Sequence, residues 1–234
     1  MFILKIADIK IAINNKFDFV MHQCADYIIK SDRYDFSIEV SKEEFEKERI
    51  ASGESFTDGF IESVCIYRNI AKQLPFYDAF VFHCAAVEKD GQAYCFAAGS
   101  GVGKTTHITL WKKVLDDVTI INGDKPIVRF FDGKPFVCGT PWGGKENLHS
   151  NKIVPLRAIC FLNRGAENSI ETITADKSLS KILQQTFIPN DKDTAEKTLD
   201  LIGTLLNNVS FWLLNCNISD SAAILSYETM SNGE

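Results

Sequence analysis

The residues Ala98-Gly99-Ser100-Gly101-Val102-Gly103-Lys104-Thr105 match the spacing [AG]-x-x-x-x-G-K-[ST] of a phosphate-binding loop. Glycines at 99, 101 and 103 let the chain wrap closely, so that consecutive backbone N–H groups point at phosphate oxygens. A helix starting at Lys104 adds the positive end of its dipole. Lys104 neutralises the terminal phosphate oxygens, and the Thr105 hydroxyl is placed to ligate Mg²⁺. Such a loop needs a carboxylate at the end of a neighbouring strand to hold the metal or its waters. Asp124, closing Val118-Thr-Ile-Ile-Asn-Gly-Asp, is the acid at that place. It also lies in Asn122-Gly-Asp-Lys-Pro126, a turn-rich string, so a plain turn role is the competing reading. Asn151-Lys152 is followed by Ile153-Val154, which is not the guanine-reading Asn-Lys-x-Asp and argues against a GTPase switch.

The elements around these residues must present them. Ala79–Val87 reads as one apolar strand. A turn at Lys89-Asp90-Gly91 leads into a second strand, Gln92–Ala97, and that spacing predicts a hairpin delivering the loop. Lys104–Leu115 reads as a helix and Val118–Ile121 as a short buried strand. Ile127–Phe131 and Phe136–Cys138 flank Asp132-Gly133-Lys134-Pro135, another hairpin. Gly139–Asn151 reads as a long loop. Ala158–Leu162 and Phe211–Cys216 read as strands. Ser178–Phe187, Thr194–Asn207 and Ser219–Met230 read as helices, the second with Asp193 and Glu196 in a capping-box pattern. Upstream, residues 2–13 read as a single strand and Tyr34–Val40 as another. Ser41 and Glu44 open a short charged helix. Gly53–Asp58 reads as a polar loop, and Gly59–Leu74 as an amphipathic helix stopped by Pro75. Strands alternating with helices predict an α/β fold, and the hairpins predict a mixed sheet. The domain expectation is a small N-terminal α+β region over 1–75 and a nucleotide-binding kinase domain over 76–234.

Composition narrows the class. The chain has 234 residues, 45% apolar and 24% charged, which excludes wholesale disorder. A net charge of −6 argues against nucleic acid or an anionic membrane as the general partner. No apolar run reaches the ~18 residues of a membrane span, and the start lacks a signal-peptide pattern. Seven scattered cysteines without a C-x-x-C fit neither a disulfide framework nor a zinc site, so a reduced cytoplasmic setting is expected.

Three segments together resemble a known family. Phe82-His83-Cys84-Ala85-Ala86-Val87, Phe96 through Thr106, and Ile121-Asn-Gly-Asp-Lys-Pro126 are similar to the nucleotide core shared by HPr kinase/phosphorylase and ATP-dependent phosphoenolpyruvate carboxykinase. Gly139-Thr-Pro-Trp-Gly-Gly-Lys145 looks like a segment of the short HPr-kinase-like proteins that phosphorylate a serine in a ribosomally made peptide. The likeness runs from about His83 to Gly165, with less beyond it and little in the first 75 residues. It implies a mixed-sheet phosphate-loop kinase core and MgATP as phosphoryl donor, with a serine on a small protein or peptide as acceptor. Self-association would be in keeping with hexameric relatives.

It also implies roles for particular residues. His83 falls where the family has a histidine near metal or γ-phosphate; from the residues alone it reads as a core histidine. Lys104, Thr105 and Thr106 match nucleotide and metal residues, and Lys145 a phosphate contact in a loop that could equally be plain surface. Asp124 matches one member of an Asp-Asp pair whose second acid is absent, because its neighbours are Gly123 and Lys125. His107 and His149 read as surface or packing residues. The alternative functions are a small-metabolite kinase or carboxykinase-like enzyme, and a nucleotide-binding adaptor that has lost turnover.

Overall fold

The computed structural model describes residues 1–53 and 55–233; the loop expected over 53–58 therefore lies partly outside the described residues at position 54. The architecture is mixed α/β, built on two sheets. Strands β1 (Phe2–Ile6), β2 (Ile9–Asn14), β3 (Ile28–Ile29) and β4 (Phe36–Glu39) form the first, in the order β3-β1-β2-β4. The single strand expected over 2–13 is instead a hairpin. Ala7 and Asp8 both adopt positive φ, 51° and 60°, the two-residue turn whose twist matches its strands. Without glycine or asparagine it leaves little sequence signal.

Helix α1 (Asp18–Gln23) was not anticipated. Helix α2 (Lys42–Ser52) starts at the expected capping box, with Ser41 and Glu44 satisfying each other's backbone amides. Helix α3 (Asp58–Gln73) gives way to a 3-10 turn at Leu74–Tyr77 containing Pro75. It buries Cys65, Ile66 and Ile70 against the first sheet, in a core that continues to Ala79, Val81, Ile127, Cys138 and Trp142.

The second sheet has nine strands. The stretch expected as one strand over 79–87 is two, β5 (Ala79–Val81) and β6 (Ala85–Lys89), interrupted at Phe82–Cys84. β6 pairs antiparallel with β7 (Gln92–Ala97) across the expected Asp90-Gly91 turn, and with β8 (Thr119–Asn122). β9 (Ile127–Phe131) and β10 (Lys134–Cys138) form the second expected Asp-Gly hairpin, and β5 pairs with β9. The long β11 (Ile153–Arg164) pairs antiparallel with β10 at its start. It then runs parallel to β7 and to β13 (Ser210–Cys216), joining the two halves of the sheet. β12 (Ser169–Thr172), also not anticipated, pairs with β13.

Helix α4 (Lys104–Val114) packs with α7 (Asp220–Asn232) on one side of the sheet, around Phe96, Trp111, Trp212 and Met230. α5 (Ala175–Gln185) and α6 (Lys192–Asn208) cover the other, around Phe80, Ile159, Ile182 and Leu205. The cap of α6 is Asp191, which accepts from the Thr194 amide, rather than the expected Asp193. No helix among the described residues is long and apolar enough to cross a membrane.

Candidate active site

The buried strand β7 ends at Ala97, and residues 98–103 turn directly into α4. Gly101 and Gly103 have φ of +78° and +126°, which side chains resist, so these two glycines are required by backbone conformation. Gly99 carries no such requirement, and a Cβ there would meet only Val102 at 4.0 Å. No side chain caps α4, so the amides of its first turn have no side-chain acceptor. Lys104 is buried, and its Nζ donates to the Ala98 carbonyl at 2.9 Å, folding back over its own loop. Burial pushes its pKa below the ordinary lysine value, against the pull of the Asp124 carboxylate. Arg164, at the end of β11, braces the loop from outside by donating to the carbonyls of Val102 and Gly101.

Asp124 stands just after β8 in a turn built by Asn122. The fully buried Asn122 accepts from the amides of Asp124 (2.8 Å) and Lys125 (2.7 Å) through Oδ1. Its Nδ2 donates to the carbonyl and hydroxyl of Thr140. Thr140 and Tyr67 in turn both donate to the Lys125 carbonyl, at 2.8 and 2.6 Å. Turn and loop thus hold each other, and Asp124 is aimed by a network rather than lying in a free turn.

His83 sits in the break between β5 and β6. Phe82 N–H donates to Pro126 and His83 N–H to the Gln185 carbonyl at 2.7 Å, so the interrupted strand is tied to the Asp124 turn on one side and to α5 on the other. This places His83 Nε2 3.2 Å from Asp124 Oδ1, while Lys125 Nζ lies 3.0 Å from Oδ2. Burial alone would raise the Asp124 pKa. The His83 hydrogen bond and the Lys125 charge more than offset it and hold the value at about 2.

The 139–151 loop packs against this turn. Leu148 accepts from the Gly123 amide, and a Cβ on Gly144 would stand 3.1 Å from that of Asp124. Trp142 is buried against α3, and Lys145 is exposed above the cleft.

A cleft of about 450 Å³ collects His83, Ser100, Gly101, Gly103, Lys104, Thr105, Thr106, Asp124 and Lys145. Gly99 and Val102 do not line it; Val102 faces a neighbouring cleft on the other side of the loop, with Leu110, Leu162 and Ile218. No group of three or more His, Cys, Asp or Glu side chains among the described residues forms a ready-made metal cage. The Thr105 hydroxyl and one Asp124 oxygen suit Mg²⁺, which takes few protein ligands and completes its shell with water and phosphate. His83, already bonded to Asp124, is a weaker candidate for that hard cation. His107 is buried within α4, and His149 packs against Tyr27. Asn122, Lys125 and Arg164 were not singled out by sequence: Asn122 and Lys125 lie in a turn-rich string where a local role sufficed, and the partners of Arg164 lie more than sixty residues away.

No family model matches the chain, and no curated protein matches it. Among solved structures it is similar to the HPr(Ser) kinase/phosphatase from Coxiella burnetii, with 8% identity and a TM-score of 0.39, over 65% of this chain and 94% of that one. A likeness of that size carries no argument here, and the functional reading rests on the residues and their geometry.

Proposed function

We propose that this chain is an ATP-dependent phosphotransferase acting on a hydroxyl group, with a serine of a small protein or peptide as the acceptor. The observation that carries the reading is the convergence of Lys104 and Thr105 with the His83–Asp124 pair on one cleft. The loop amides and Lys104 would bind the β- and γ-phosphates, Lys104 exchanging its Ala98 carbonyl for a phosphate oxygen. A Mg²⁺ held by Thr105 and Asp124 would neutralise phosphate charge. The acceptor oxygen attacks the γ-phosphorus, its O–P bond forms as the bond to the β-bridging oxygen breaks, and ADP leaves with that electron pair.

The hydroxyl proton needs a base. A carboxylate with a pKa of about 2 is a weak one. In this reading Asp124 accepts the Nε2–H of His83, leaving the Nδ1 lone pair to take the proton. A missing second acid is then replaced by an Asp–His pair. Phosphoryl transfer rests mainly on positioning and charge neutralisation, so one base suffices.

The test is single-turnover transfer from γ-labelled ATP into peptides and metabolites, with MgATP affinity measured in parallel. Label in phosphoserine is the expected outcome. Label in a small acid would favour the carboxykinase-like alternative. ATP binding without transfer to any acceptor would favour the adaptor.

A further inference from the structure

His83 also borders a region lined by none of the phosphate-loop residues. A second cleft of about 370 Å³ opens between α3, β5 and the end of α5. Its walls are apolar, formed by Val64, Tyr67, Ala71, Trp142 and Phe187, and His83 and Lys125 line its inner end. His83 lines both clefts, so this one adjoins the candidate reaction centre. Gln185 also lines it. Its Oε1 is shielded from solvent and has no hydrogen-bond partner among the described residues. The cleft continues past Arg68 and Phe187 into a groove of about 820 Å³ between α2, α3 and the 187–191 connection, lined by polar and apolar side chains alike, among them Asn69, Asn190, Phe76 and Ile188.

We propose that this cleft is the acceptor-side specificity pocket, taking a large apolar side chain adjacent to the phosphorylated hydroxyl residue of an extended peptide. The inference rests on the phosphotransferase reading. An apolar chamber of this size suits one bulky side chain. The groove receives the chain that follows. A small metabolite would leave the groove empty and has no need of it. The acceptor hydroxyl then approaches His83, and the transfer proceeds as described above, with its proton passing to the imidazole.

The experiment uses a degenerate serine-centred peptide library with γ-labelled ATP, and two variants that fill the chamber from opposite walls. Val64 is half-buried on α3 and Gln184 is exposed on α5, so Val64→Trp and Gln184→Trp intrude into the cleft from separate elements. Thermal melting establishes that each variant is folded. The expected result is selection of a large apolar residue next to the labelled serine. Each folded variant should lose transfer into the selected peptides by roughly tenfold or more, the scale set by misfit in an apolar pocket, while MgATP affinity stays at the wild-type value. Wild-type transfer rates in a folded variant or no apolar preference in the library would each overturn the pocket while leaving the phosphotransferase reading standing, and label confined to small molecules would overturn the pocket and the serine acceptor together. Failure of the wild-type protein to bind MgATP would remove that reading, and the pocket with it.

Discussion

The indole of Trp142 stacks on the phenol ring of Tyr67, with centroids 4.1 Å apart and an interplanar angle of 18°. Trp142 Nε1 also donates to Ser63 Oγ at 2.9 Å. Both partners belong to α3, so the loop that carries Lys145 over the cleft is riveted to the N-terminal helix. Tyr67 reaches on to the Lys125 carbonyl, which places the same stack one hydrogen bond from the Asp124 turn.

Trp142→Ala therefore removes a buried aromatic and should destabilise the fold by roughly 3–5 kcal/mol. Trp142→Phe keeps the stack and loses the Ser63 bond, a loss of about 1 kcal/mol. Urea denaturation of the two variants checks the ranking. Equal stability of Trp142→Ala and wild type would mean that the loop is not anchored through this ring.

Lys104→Met retains the aliphatic stem and deletes the ammonium. Burial already disfavours that charge, so its removal should leave the melting temperature close to wild type. MgATP affinity should fall by about tenfold or more, as for loss of a charge-assisted phosphate contact. Calorimetry showing unchanged affinity would remove Lys104 from the nucleotide site.

His83→Gln and Asp124→Asn each break the pair at the cleft floor. Each should lower the transfer rate by about 10²-fold or more, the range for a positioned proton-transfer or metal-holding group. The double variant should fall little further than the worse single one, because residues acting as a unit are not additive. Fully additive losses would mean that the two act separately.

Asn122→Ala leaves the Asp124 and Lys125 amides without their acceptor and Thr140 without its donor. It should cost about 2–4 kcal/mol of stability. It should also lower the transfer rate more than MgATP affinity, since Asn122 acts on the reaction only by aiming Asp124. A variant that unfolds more readily yet transfers normally would limit Asn122 to a structural part.

The contrast between what was legible and what was not follows sequence distance. The phosphate loop is eight contiguous residues, and both Asp-Gly hairpins announce themselves by a residue pair that tolerates positive φ. The Ala7-Asp8 hairpin uses the same geometry with residues that do not advertise it, so two strands read as one. The break at Phe82–Cys84 was not legible because no glycine or proline marks it within an otherwise apolar run. Hydrogen bonds to Pro126 and Gln185 supply the partners that continued pairing would have supplied. Asp124 was found as a strand-end acid, but its pairing with His83 depends on two segments brought together by the β5 and β6 connections. The α6 cap is Asp191 rather than Asp193 because an N-cap needs only a short side-chain acceptor, and Asp191 Oδ1 reaches the Thr194 amide at 3.1 Å.

His107, which the sequence reads as a surface or packing residue, is buried in the first turn of α4, just after the phosphate loop. Trp111 Nε1–H donates to His107 Nε2 at 3.2 Å and to Ser226 Oγ at 2.8 Å. With Nε2 accepting, the proton of the neutral ring lies on Nδ1, which has no partner among the described residues. Desolvation pushes the His107 pKa down from 6.5 to about 4, since no carboxylate stands by to favour the imidazolium. In the unfolded chain the ring takes a proton as pH falls below its ordinary value, whereas the folded protein keeps it neutral until about pH 4. The folded state is thus favoured above pH 6.5 and loses stability as pH falls from there towards 4, by about 3 kcal/mol in all. His107→Gln has no such titration, so its urea midpoint should vary less over that window than the wild type's. Parallel pH–stability curves for the two proteins would show that this ring is not held neutral by burial.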